Sequence, residues 1–346
     1  MFSTPSASWR RTSLLILAFA GADLQPGPSA ALRVDVLHSV AGIPPAIVGE
    51  FEDPVSFQQA ANGQYFVFDR RAHTVYGIDA KRTAAWKLIQ VGHEAGRVIE
   101  PGAFDLAPNG TFAIADAPRG RERVQLFGPG GNVLGGFTLP GRPGARITIG
   151  SLVLNGAGSL QYTGTSFLLS PPESGALFTE YLPSGTPVRS IGVLRATGFE
   201  ADRDLHIAMN SGLPLVDPTG GFYYVFLAGT PVFHKYDAKG ALVFERHIEG
   251  RELDEHLRAQ PRTWPRRKVE DREVPFVAPA VRAAAVDGKG QLWVSLAVPY
   301  TYVYDAHGDK ARTVQFRGAG TIAPTGLFFT TAGRVLVAPG LYEFRP

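Results

Sequence analysis

There is no cysteine anywhere in the 346 residues. That absence excludes disulfides, thiolate metal centres, a cysteine nucleophile and a lipid-modified N-terminal cysteine, and it leaves packing alone to hold the fold. Charge is scarce at 19% of residues, and the 34 Lys and Arg nearly balance the 31 Asp and Glu. No clustered basic stripe is present, so the sequence argues against a nucleic-acid partner. No apolar run reaches the ~20 residues that a membrane-crossing helix needs. The N-terminal one, Leu14 to Ala22, follows Trp9-Arg10-Arg11 and precedes small residues, which is the order of an export signal. Residues 1–30 are read as a signal peptide cleaved after Ala22 or near Ala30, and the protein is expected to be periplasmic or extracellular, without a membrane span. Phosphate loops, G-x-S-x-G elbows and H-E-x-x-H helices are missing as well.

What is abundant is turn chemistry, with 40 Gly and 27 Pro in a chain that is 45% apolar. A two-step phrase recurs along it. Its first step is a Gly turn followed by an apolar run, starting at Gly63, Gly110, Gly158, Gly220, Gly290 and Gly333. Its second step, roughly ten residues on, is a short strand such as Thr74 to Asp79, Arg123 to Phe127 or Thr301 to Asp305. Repeats of about 40 to 70 residues imply one small antiparallel sheet per copy, stacked side by side. The first-step runs do not alternate: Tyr65-Phe66-Val67-Phe68 and Phe222-Tyr223-Tyr224-Val225-Phe226 are apolar throughout. Strands of that kind are covered on both faces, as when each sheet is sandwiched between two others. No amphipathic helix separates consecutive strands, which argues against a wound α/β sheet.

The expected fold is therefore all-β, a six-bladed propeller of four-stranded antiparallel blades occupying residues 31–346. Each blade has an inner strand before the Gly turn, two strands after it, and an outer strand beyond a second turn such as Asp237-Ala238-Lys239-Gly240. The sixth copy stops two residues after Phe344 and has no outer strand. Leu32 to Leu37 is expected to supply it and close the ring, removing an open edge. An insertion, 249–279, follows the fourth blade, and Leu253 to Leu257 within it suggests a short helix. Its charges balance, so it does not read as a membrane-binding patch.

The second copy is the clearest. Pro101 to Gly110, then Phe112-Ala113-Ile114-Ala115-Asp116, then Arg123-Val124-Gln125-Leu126-Phe127 resembles an NHL repeat. The first copy keeps Pro54, Gly63 and Asp69 but carries Thr74-Val75 in place of Arg-Val, and the others keep the turns and lose the Asp/Arg pair. The resemblance implies a six-bladed NHL-like propeller. It spans binding modules, lyases and calcium-dependent lactonases, so it does not choose an activity.

Propeller ligands gather at the channel face, where the loops between second and third strands lie. Arg70, Arg71, His73, Arg119, Arg121 and Arg123 form a candidate cationic rim there, with Asp116 either a ligand contact or the internal partner of Arg123. His206, Asn210 and Tyr300 are further candidates on the same face. The lactonase-like side of the resemblance implies calcium on Glu52 and Asn210, and the amidating-lyase-like side implies zinc on separated histidines such as His73, His93 and His206. The fifth inner strand offers no third carboxylate, and the histidines follow no metal-ligand spacing. The reading is thus an exported, monomeric propeller, without cofactor or catalysis, that binds a protein, peptide or glycan. The alternative is a metal-dependent hydrolase or lyase.

Overall fold

The computed structural model describes residues 1, 33–139, 147–149, 152–154, 159–170, 175–261, 263–269 and 272–346. The chain divides into two units, Met1–Arg33 and Val34–Pro346. The expected signal peptide lies outside the described residues. The second unit carries the fold.

Four sheets repeat one antiparallel plan of four strands in chain order. The first holds Pro54–Gln59, Tyr65–Asp69, Thr74–Ile78 and Ala85–Lys87. The second holds Ala103–Leu106, Phe112–Asp116, Arg123–Phe127 and Val133–Thr138. The third holds Leu160–Tyr162, Phe167–Leu169, Ala176–Tyr181 and Pro187–Val193. The fourth holds Gly212–Val216, Phe222–Phe226, Val232–Tyr236 and Leu242–His247. A fifth set, Val281–Val286, Leu292–Leu296, Thr301–Tyr304 and Lys310–Arg317, follows the same order but does not stop there. It continues through Val34–Gly42 into Tyr342–Phe344, Val335–Ala338 and Gly326–Phe329, making one nine-stranded sheet that also takes in Thr321–Ile322. The fold is all-β and propeller-like.

The reason for stacking is visible in burial. Every residue of Tyr65–Asp69, Phe112–Asp116, Phe222–Phe226 and Leu292–Leu296 is buried. A sheet with two apolar faces needs a neighbour on each side. Accordingly, the apolar clusters among the described residues straddle sheets. Phe66, Phe68 and Val75 pack with Phe104, Phe112 and Phe127. Phe112 alone meets the rings of Phe66, Phe104 and Phe127 at 5.7, 5.7 and 5.3 Å. Further clusters join the second sheet to the third, the third to the fourth and the fourth to Leu292–Leu296. The series continues from Trp293 to Val335, and from Leu336 back to Phe57. Each first strand also lies beside the next, and Gly326–Phe329 returns to Pro54–Gln59.

Two expectations need correction, and a third is extended. The N-terminal strand does pair with Tyr342–Phe344, but through Ser39, Ala41 and Gly42. The stretch expected to do so runs parallel to Thr313–Arg317 instead, with Val34 opposite Thr313 and Leu37 opposite Phe316. In the third copy, Leu160–Tyr162 is the first strand, not the one after the Gly turn. The turn belongs to Gly164, whose φ of 91° suits glycine. The insertion contains the expected short helix and, beyond it, two strands. Helix Arg251–Arg258 is followed by Arg266–Val269 and Arg272–Val277, which form an accessory sheet with Ile147–Ile149 and Leu152–Leu154.

Candidate functional site

In each antiparallel module the loop between second and third strands shares an end with the link into the first strand, so the candidate residues occupy one face. Much of the expected cationic rim is internally committed there. Asp69 is wholly buried and accepts the amides of Glu52, Asp53 and Ala72 at 2.7, 3.0 and 3.0 Å. Arg70 closes on Asp53 Oδ2 with Nε at 3.1 and Nη2 at 2.8 Å. Arg71 faces Glu52 at 3.6 Å across solvent. His73 occupies the turn at φ 51°, its amide donating to the Arg70 carbonyl.

The second sheet repeats the clasp with Asp116 in the role of Asp69. Arg123 grips it through Nε–Oδ1 at 2.8 Å and Nη2–Oδ2 at 2.9 Å. The same guanidinium donates to the carbonyls of His93 and Arg97 at 2.9 Å each, while Asp116 accepts the Ile99 amide. Asp116 and Arg123 thus strap the incoming chain to the blade, the internal pairing of the two readings set out above. The equivalent of Arg123 in the first sheet is Thr74, whose hydroxyl reaches Ile89 O at 2.6 Å.

Arg119 and Arg121 are different. They flank Gly120 in a tight turn at the end of the second strand, where Arg119 sits at φ 56° and Gly120 at φ 72°. Amides of Gly120 and Arg121 close the turn onto the carbonyls of Ala117 and Pro118. Both side chains are exposed, and neither guanidinium has a partner among the described residues. Together with His93, Glu94, Arg123 and Thr138 they line an open cleft of about 700 Å³. That is within the size range of ligand clefts. Glu94 is offset by Arg97 at 3.9 Å, so the cleft is basic.

Away from this cleft the remaining candidates are structural. His206 and Asn210 lie in helix Arg203–Asn210, not in loops. Asn210 is wholly buried, with Oδ1 accepting the Arg195 amide at 2.9 Å and Nδ2 donating to the carbonyls of Arg195 and His206. Nδ1 of His206 bonds Thr197 Oγ1 at 2.8 Å. Tyr300 packs half-buried against the core beside Leu292–Leu296. Among the residues offered for calcium or zinc, Glu52, Asn210 and His206 each have a partner within the protein. Asn210 is consumed by backbone, Glu52 faces Arg71, and among the described residues no three His, Asp or Glu side chains converge.

Deep in the channel, sequence reasoning missed a set of sutures. Gln58 Oε1 accepts the Leu106 amide at 3.0 Å, Asp105 Oδ2 the Tyr162 amide at 2.7 Å, and Gln161 Oε1 the Val216 amide at 2.7 Å. Each acceptor stands opposite the second residue of its neighbouring strand, Phe66, Ala113 and Leu168. Asp105 keeps slight solvent access but is enclosed by protein, and desolvation pushes its carboxyl up to about 6. The sequence signal was a polar residue, Gln58, Asp105 or Gln161, next to last in two of these first strands and central in the third.

No family model and no curated protein matches the chain. Among solved structures it is similar to a catalytically inactive virginiamycin B lyase from Staphylococcus aureus with quinupristin, at 8% identity and TM-score 0.51, covering 85% of this chain and 84% of that one. It is also similar to a streptogramin B lyase structure, at 9% identity and TM-score 0.49, covering 84% and 92%. A protein of unknown function from Bacteroides caccae matches at 14% identity and TM-score 0.46, covering 75% and 81%. At such identities the likeness is one of propeller fold. None of the described helices is long and apolar enough to cross a membrane.

Proposed function

We propose that the protein is an exported, monomeric, six-bladed NHL-like propeller that binds an anionic partner at its channel face. The six-module count rests on the first strands, which neighbour one another in order and return to the start, and on apolar clusters that straddle each successive pair. Export rests on the N-terminal pattern, and the NHL relation on the second copy, with its Asp116–Arg123 clasp.

One observation carries the binding reading. Arg70, Arg71 and Arg123 each face a carboxylate of this chain, whereas Arg119 and Arg121 line a cleft of about 700 Å³ with no such partner among the described residues. A guanidinium gains about 1.5–3 kcal/mol from a charge-assisted hydrogen bond. Two of them, two residues apart on a braced turn, suit a partner with paired acidic groups. The mature chain is to be probed on peptide and glycan arrays beside the Arg119→Glu/Arg121→Glu variant. Wild-type hits should be acidic and should vanish in the variant. Hits that survive the charge reversal, or an array on which the wild type finds nothing, would remove the reading.

A further inference from the structure

We infer that the partner is an extended peptide with an acidic end, added as a strand to the outer edge of the second sheet and anchored by Arg119 and Arg121. This rests on the binding reading and narrows it to one class of partner. The basic cleft does not end at Thr138. It runs into a groove of about 500 Å³ that shares Arg123 and Thr138 with it and is lined further by Val124, Val133, Gly135 and Phe137.

The outer strand Val133–Thr138, of sequence Val-Leu-Gly-Gly-Phe-Thr, forms one wall of the groove. It carries no charge, and its residues are exposed apart from a half-buried Phe137. Among the described residues it is hydrogen-bonded on one side only, to Arg123–Phe127, and ends its sheet. Exposed edges of this kind are ordinarily guarded by charge. The outer strands of the other three four-stranded repeats are so guarded: Lys87, Arg189, and Glu245 with Arg246 stand in theirs. Here the edge is bare, and Gly135 adds no side chain, its Cβ direction being open for 4 Å.

A row of backbone amides and carbonyls is matched by another backbone and not by a sugar ring. Six residues of added strand would cover about 20 Å, the length of the edge. The charge then sets the end. An acidic pair beside Thr138 reaches Arg119 and Arg121, while β-branched residues lie along the groove toward Val133. Pairing with a second copy of this strand would leave both arginines unanswered, which favours a partner that brings the acid.

Fluorescence anisotropy tests this with the mature chain and a dye-labelled Thr-Val-Thr-Val-Asp-Glu peptide, its Lys-Lys counterpart, and a labelled heparin hexasaccharide. The acidic peptide should bind at least about tenfold more tightly than the lysine one, and lose about that factor in Arg119→Glu/Arg121→Glu. Gly135→Phe, which adds bulk over the groove at an open position, should weaken the peptide several-fold and leave the hexasaccharide unaffected. Equal binding of the two peptides, or indifference to Gly135→Phe, overturns strand addition. Hexasaccharide binding that is lost on charge reversal, without peptide binding, overturns the peptide and keeps the channel-face reading. If neither probe binds, the peptide inference fails, and the arrays decide the broader reading alone.

Discussion

Asp105 stands in the middle of the sutures, a carboxylate enclosed by protein and given two amide neighbours and Gln58 but no cation. Desolvation outweighs those hydrogen bonds and lifts its pKa from an ordinary 3.8 to about 6. The folded chain therefore holds this proton more tightly than the unfolded chain. Its contribution to stability is full below pH ~4, is lost as pH rises through ~6, and is flat above, at most about 3 kcal/mol in all. Asp105→Asn keeps an oxygen for the Tyr162 amide and removes the titration. Relative to wild type, the variant should gain up to ~3 kcal/mol in urea melts between pH 4 and pH 7.5. A wild-type-to-variant gap that stays constant with pH would refute the assignment. The clasps at Asp69 and Asp116 belong to this scale too. The Asp/Arg signature marked the second in the sequence; the first copy keeps the Asp of that pattern, but Asp69 binds backbone amides in place of an arginine, which the pattern does not announce.

At the scale of elements, the N-terminal strand joins the two halves of the nine-stranded sheet. Val34–His38 lie along Thr313–Arg317, and Ser39–Gly42 lie along Tyr342–Phe344, with a register shift between Ser39 and Ala41. Val34–Gly42 fills the place beside Tyr342–Phe344 that an outer strand takes in the other copies. Which of its residues do so follows from where the fifth outer strand happens to run, which only the fold reveals. A chain beginning at Ile43 should melt many degrees lower and self-associate at micromolar concentration, because two edges are then bare. An unchanged melting curve with a monomeric profile in light scattering would contradict the double pairing. The third copy teaches the reverse lesson. Gly158 and Gly164 both carry turn chemistry in sequence, and Gly164, at φ 91° ahead of the buried run Phe167–Leu169, is the one between the first two strands.

For the whole molecule, stability is shared among interfaces between neighbouring sheets, with no single central core. The accessory sheet extends this rule to the long connections. Arg266 pairs with Asp202 and donates to the Glu273 carbonyl at 3.1 Å, and Arg267 stacks 3.9 Å above Phe276. Trypsin should therefore spare Arg266 and Arg267 under native conditions and cut there only as the fold opens. Rapid cleavage at either site in the native protein would show the hairpin to be detached. Its strands were invisible beforehand because Arg266-Arg267-Lys268 has no apolar alternation, and its pairing partner Ile147–Ile149 is more than a hundred residues away.

Local chemistry settled the repeat, the turns and the two-faced burial of the strands, because glycine conformation and apolar patterning act within a few residues. Composition likewise ruled out disulfides and a helical membrane span. The tertiary structure decided which charges are spent. Arg70, Arg123 and Asn210 could not be told from Arg119 and Arg121 by spacing until the Asp53 carboxylate was seen to hold Arg70, and backbone from other segments Arg123 and Asn210. Whether a polar group is free depends on what the fold carries within 3 Å of it, and no spacing along a chain records that.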